Sequence, residues 1–150
     1  MELHEVMLVL HIAGAGVWLG TNILQAVVPG LAARQGVEVA AGWYRVTGEF
    51  GKRVYMPASI LVLVTGIVMV LQDDSYSFGS LFVTIGFVMI VIGVLLGIFI
   101  FTPGSETSAK AVESGDQTRI KSATARIAAF GTVDTLLLLF TMTVMVLRWA

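Results

Sequence analysis

"SLFVTIGFVMIVIGVLLGIFIF", residues 80–101, runs without a single charged side chain. A helix crossing a hydrocarbon core about 30 Å thick needs about 20 mostly apolar residues, so this stretch is long enough to span a bilayer by itself. Three more stretches read the same way, at 5–28, 56–71 and 127–149; the short second one extends naturally back through Val54 and Tyr55. Composition agrees. Of 150 residues 57% are hydrophobic and 13% charged, and the mean hydropathy is +0.90, outside the range of a soluble globular chain. Backbone amides in lipid must bond within their own segment, and the alternation of a membrane barrel is absent. The expected fold is all-α: one bundle of four transmembrane helices filling residues 1–150, with helices at 5–28, 56–71, 81–101 and 127–149.

The opening "MELHE" carries two glutamates and no lysine or arginine, unlike a cleaved leader, so the first helix is expected to be retained. With no cysteine in the chain, disulfides, thiolate metal sites and cysteine nucleophiles are excluded. No nucleophile triad, phosphate loop or paired zinc motif is present. Eight of the nine basic residues fall between the first and second or the third and fourth stretches: Arg34, Arg45, Lys52, Arg53, Lys110, Arg119, Lys121 and Arg126. By the positive-inside rule both long loops are expected in the cytoplasm and both termini outside, in a bacterial-type inner (plasma) membrane. The first loop, with Trp43, Tyr44, Phe50 and Tyr55 among basic residues, is expected along the membrane surface in contact with anionic lipid. The second is expected to be a polar connector, helical from about Ser105 into the fourth helix. Neither loop has the dense basic patch that a nucleic acid would need.

Residues seven apart fall nearly on one line of a helix, because two turns take about 7.2 residues. His4, His11, Trp18 and Gln25 keep that spacing, and Asn22 lies close to the line. A polar stripe on a membrane helix faces the bundle interior. His11 lies about 9 Å inside the outer end, level with Thr65, Gly86 and the 142–143 region. Asp134 lies about 10 Å from the other end of its helix and can meet Asn22 or Gln25 if the first and fourth helices are neighbours. At that depth it must find hydrogen-bond partners or lose its charge. This stripe either pairs helices or lines a path for a proton or a metal ion. His11 is either a core histidine bonded to a threonine or carbonyl, or a ligand to haem or a metal, with Met69 or Met142 as second donor. A homodimer pairing two His11 rings is the other way to complete such a site. Trp18 is either packed core or a stacking surface for a cofactor, and His4 either an outer copper ligand or solvated. Gly93 and Gly97 form a small-residue pair suited to helix contact.

"LHIAGAGVWLG", residues 10–20, resembles the first helix of the copper-resistance D family, of the HemJ-type membrane protoporphyrinogen oxidases and of a neighbouring family of integral membrane proteins with no assigned function. "KRVYMPASILVLVTGIVMVL", residues 52–71, resembles their second helix, with its basic pair, proline and threonine-glycine. The resemblance implies a small haem-binding or copper-handling membrane protein, with the family histidine at His11. HemJ-type enzymes typically add a histidine and a lysine on the third helix, and residues 80–101 have neither, so porphyrinogen oxidation is not expected. The unassigned four-helix family fits best in length. The expected function is haem binding or a redox association through His11. The alternatives are small-scale proton or copper-type transport, and a structural or partner-binding subunit.

Overall fold

The computed structural model describes residues 2–75 and 77–148. Among these all regular structure is helical: α1 (Leu3–Gln35), α2 (Val37–Gly48), α3 (Met56–Gln72), α4 (Leu81–Leu96), α5 (Thr102–Ser114) and α6 (Gln117–Leu147). A π-helical turn, Gly51–Tyr55, carries α2 into α3, and a second, Gly97–Phe101, carries α4 into α5. The result is four long helices of 33, 36, 34 and 31 residues, each long and apolar enough to cross a membrane. At 1.5 Å per residue they measure about 46–54 Å against a hydrocarbon core of about 30 Å. Much of the surplus is the charged and small-residue sequence on either side of Gly36 and Gly115.

Here the helix bounds expected from the sequence change. α1 continues through Pro29 to Gln35, and the stretch 29–55 is almost wholly helical rather than a loop; 102–126 is helical, as expected from about Ser105, but starts earlier and is broken at Gly115. The run 102–114 extends α4 instead of leading into the fourth helix, which starts at Gln117, ten residues earlier than expected. The expected end of that helix at Trp149 lies outside the described residues. The reason is tertiary. α2 and α5 bury a core of small side chains against each other, Ala40, Ala41 and Tyr44 against Ala109 and Val112. Beside it Thr47, Ser105 and Ser108 are also buried. Arg45 of α2 and Glu113 of α5 form an ion pair across this contact.

Two glycines punctuate the extensions. Gly36 has φ +120° and Gly115 φ +68°, conformations that a side chain makes costly. After Gly115, Asp116 caps α6 by accepting hydrogen bonds from the amides of Thr118 at 2.9 Å and Arg119 at 3.2 Å.

In the apolar half, α1 packs on α3 and α6, and α4 packs on α6, while α3 and α4 make the loosest seam. Trp18, buried to 4% exposure, reaches across the bundle from α1 to Met89 of α4 and Leu138 of α6. Its ring lies over Gly93, where a Cβ atom would come within 2.3 Å of the indole. Gly97, the other half of the expected small-residue pair, faces no atom within 4 Å. Gly93→Ala therefore forces the indole to move and is expected to destabilise the bundle by about 1–3 kcal/mol. Gly97→Ala is expected to change stability by less than about 1 kcal/mol. Unfolding midpoints of the two variants in one detergent check the contrast.

Candidate functional site

Helical periodicity on all four spans converges on one cavity. Its volume is about 360 Å³, within the range of about 300–1,000 Å³ typical of small-molecule sites. α1 contributes His4, His11, Ala15 and Trp18, and α3 contributes Val62, Gly66 and Met69. From α4 come Val83, Gly86 and Met89, and from α6 Leu138, Thr141, Met142 and Met145, with Arg148 just beyond its end. Both histidines of the chain and four of its seven methionines thus border one apolar space. The cavity follows the loose seam between α3 and α4, where Gly66 and Gly86 withhold side chains. His11 covers Gly66, and the Met145 methyl occupies the position that a Cβ of residue 86 would take.

His11 is held by its Nδ1, which lies 3.0 Å from Thr65 Oγ1. The Thr65 hydroxyl has one proton, and it points to the Leu61 carbonyl at 2.6 Å with the Val62 carbonyl at 3.2 Å. A hydroxyl that has spent its proton on the backbone can only accept from the ring, so the network assigns the proton to Nδ1. Nε2 then carries the lone pair, the tautomer of a metal-ligating histidine whose other nitrogen is anchored to oxygen.

Beyond Trp18, outside the cavity lining, lies a second polar group. Trp18 Nε1 donates to Asp134 Oδ2 at 3.1 Å, and Asn22 Nδ2 donates to the same oxygen at 2.7 Å. Tyr55 donates its hydroxyl proton to Asn22 Oδ1 at 2.6 Å and accepts from Gln25 Nε2 at 2.7 Å. Trp18 and Tyr55 also meet edge to face, with centroids 6.2 Å apart. Asp134 is 1% exposed, and among the described residues its Oδ1 has no hydrogen-bond partner. Trp18 joins the two groups, since its ring borders the cavity and its N–H belongs to the network.

Each candidate ligand or polar-path residue named from the sequence lies in one of these groups. His4, His11, Met69 and Met142 border the cavity, Thr65 orients His11, and Asn22, Gln25 and Asp134 form the network with Trp18. The partner of Asp134 is Asn22, and Gln25 reaches the row through Tyr55. Tyr55 is the residue that sequence reasoning misses, because it was placed among surface aromatics. A signal was present: Tyr55, Ala58, Val62, Thr65 and Met69 recur at steps of three and four, so one face of the second helix holds them all. Asp134, Leu138, Thr141 and Met145 repeat that spacing on α6 and point to Met145 in the same way.

Among the described residues no three His, Cys, Asp or Glu side chains come together to hold a metal ion. Any metal at this cavity would depend on histidine nitrogen and methionine sulfur, donors that suit haem iron or a cuprous ion. The anchored His11, the methionines and the small-residue walls fit such a group in donor chemistry.

The network is expected to be energetically coupled. Asn22→Ala removes one donor from Asp134 and the acceptor of Tyr55, at a cost of about 1–2 kcal/mol. In the Asn22→Ala/Asp134→Ala double variant the two losses should fall short of additivity, read as a nonzero double-mutant-cycle energy from unfolding in detergent. Comparison with family models, with curated proteins and with solved structures found no match to this chain.

Proposed function

We propose that this chain is a multi-pass membrane protein that binds a redox-active group, haem, in the cavity bordered by its four spans, where His11 Nε2 would hold the iron. The observation that carries this reading is the anchoring of His11 through Nδ1 in a cavity that four methionines also line. Met142 is the preferred second donor and Met69 the alternative. Because four helices of one chain surround His11, the reading needs no second chain, although a homodimer remains compatible with it. Trp18 would offer the group a flat surface, and His4 borders the same cavity. When bound, the group would supply one-electron chemistry; the protein's part is to hold the ligand, exclude water and orient the imidazole. The resemblance of residues 10–20 and 52–71 to the copper-resistance D and HemJ-type families supports the reading, since Thr65 and Gly66, its threonine-glycine pair, are the residues against His11. The concentration of basic residues around the α1–α2 and α5–α6 breaks favours the cytoplasm for that end and an inner membrane for the protein.

Purified protein titrated with haem is expected to develop a Soret band. His11→Ala should abolish or shift that band, and Thr65→Val should weaken binding about 10–100-fold by freeing the ring. Identical spectra for wild type and His11→Ala would overturn the assignment. The same donor set suits a cuprous ion, so displacement of haem by copper(I) at comparable concentration would reassign the site to copper handling.

The row Trp18–Asp134–Asn22–Tyr55–Gln25, with its unpartnered carboxyl oxygen, favours a second reading: passage of a proton through the bundle. Amide side chains relay protons poorly, so Asn22 and Gln25 would position the row while Asp134 takes up and releases the proton. Vesicles containing the protein should then pass protons, and Asp134→Asn should cut the flux at least tenfold. Equal flux in the two proteins excludes it and, with no haem signal, leaves a structural or partner-binding subunit.

A further inference from the structure

A second groove lies on the outer face of the bundle between the first and second spans, away from the central cavity. Gly14 and Val17 of α1 form one side, and Val54, Pro57, Ala58 and Leu61 form the other. Its volume is about 250 Å³, and Arg53 stands at one end. Gly14 creates the floor: its missing side chain lets α1 approach until a Cβ there would be 2.8 Å from Val62 Cγ2 and 3.3 Å from the Ala58 carbonyl oxygen. From Arg53 to Leu61 the groove runs eight residues, about 12 Å, close to the roughly 15 Å depth of one leaflet. Every wall apart from Arg53 is apolar.

Arg53 belongs to the π-helical turn that carries Tyr55 toward Asn22. Its Nε lies 3.5 Å from Glu49 Oε2, and the side chain is 78% exposed. An exposed pair of this length is weak, and the two terminal amino groups keep the fork that suits phosphate oxygens. Lys52 adds a neighbouring exposed charge.

We propose that this groove is a binding site for one phospholipid with an anionic headgroup: an acyl chain lies along Gly14, Val17, Ala58 and Leu61 while the phosphate is held by the Arg53 guanidinium. A cation at the end of an apolar trough about one leaflet deep is complementary to an amphiphile of that polarity, not to a soluble anion or a peptide. The site is independent of what occupies the central cavity.

The test is native mass spectrometry of the full chain released from vesicles of equal phosphatidylglycerol and phosphatidylcholine. Wild type is expected to retain one phosphatidylglycerol per chain. Arg53→Gln should lower the phosphatidylglycerol-to-phosphatidylcholine ratio about fivefold. Val17→Trp, which fills the trough and leaves Arg53 in place, should lose the retained lipid. Arg34→Gln, a basic residue of α1 outside the groove, should retain it as wild type does. Circular dichroism and a single elution peak establish that each variant is folded. An unchanged ratio in Arg53→Gln, or an equal fall in Arg34→Gln, overturns the site in favour of general surface charge. Displacement of the lipid by millimolar glycerol phosphate also overturns it, because recognition would then lie in the phosphate alone.

Discussion

A carboxyl group on a helix that crosses hydrocarbon must find its partners inside the protein, and Asp134 finds two of them on α1. Polar groups left unpaired in lipid cost several kcal/mol each, far more than one helix–helix hydrogen bond returns. That asymmetry makes the contact an instruction about geometry. It requires α1 and α6 to be neighbours and sets Trp18 and Asn22 level with residue 134. It also leaves the Asn22 carbonyl in need of a donor, which Tyr55 supplies from the second span. The π-helical turn Gly51–Tyr55 is where that tyrosine enters the bundle, so an irregularity in the backbone coincides with the end of the polar row.

The cavity follows from the same arrangement. With its N–H held by Asp134, Trp18 is turned across the bundle onto Gly93, and its ring closes the floor of the space above. α3 and α4, held to α1 and α6 rather than to each other, stay apart along the upper half. The opening is lined by methionine and histidine, and its one well-anchored ligating group is an imidazole whose tautomer is dictated by a threonine with no proton left to give. Stability and function meet in Trp18, which is both a packed core residue and the boundary of the candidate site.

At the opposite end the helices run on past the length that a hydrocarbon core requires and continue by a different chemistry. α2 and α5 associate through alanine, serine and threonine side chains that permit close approach, tied at the edge by Arg45 and Glu113. Polar and charged composition reads as a connector when each segment is taken alone. A helical extension forms because two such segments are brought side by side by the spans to which they are joined.

The four spans, the inward stripe of His4, His11, Trp18, Asn22 and Gln25, and the depth of Thr65 and Asp134 were legible in the chain, because they depend on counting residues along a helix of known pitch. Which helices adjoin is not encoded in that periodicity. Asp134 could have met Gln25 as well as Asn22, and Tyr55 looked like an interfacial aromatic until the π turn directed it inward. The helical character of 29–55 was likewise hidden, and 102–126 was expected to be helical only from about Ser105 and as a lead into the fourth helix, since the two stretches are held by a mutual contact between residues 68 positions apart in the chain. Sequence by itself determined that the protein is a set of four apolar helices and which face of the first is polar, because burial in lipid acts on each segment alone. Only the tertiary structure decided that those faces enclose a cavity around His11 and a row of bonds beneath it, because both arise from the close approach of several helices at once.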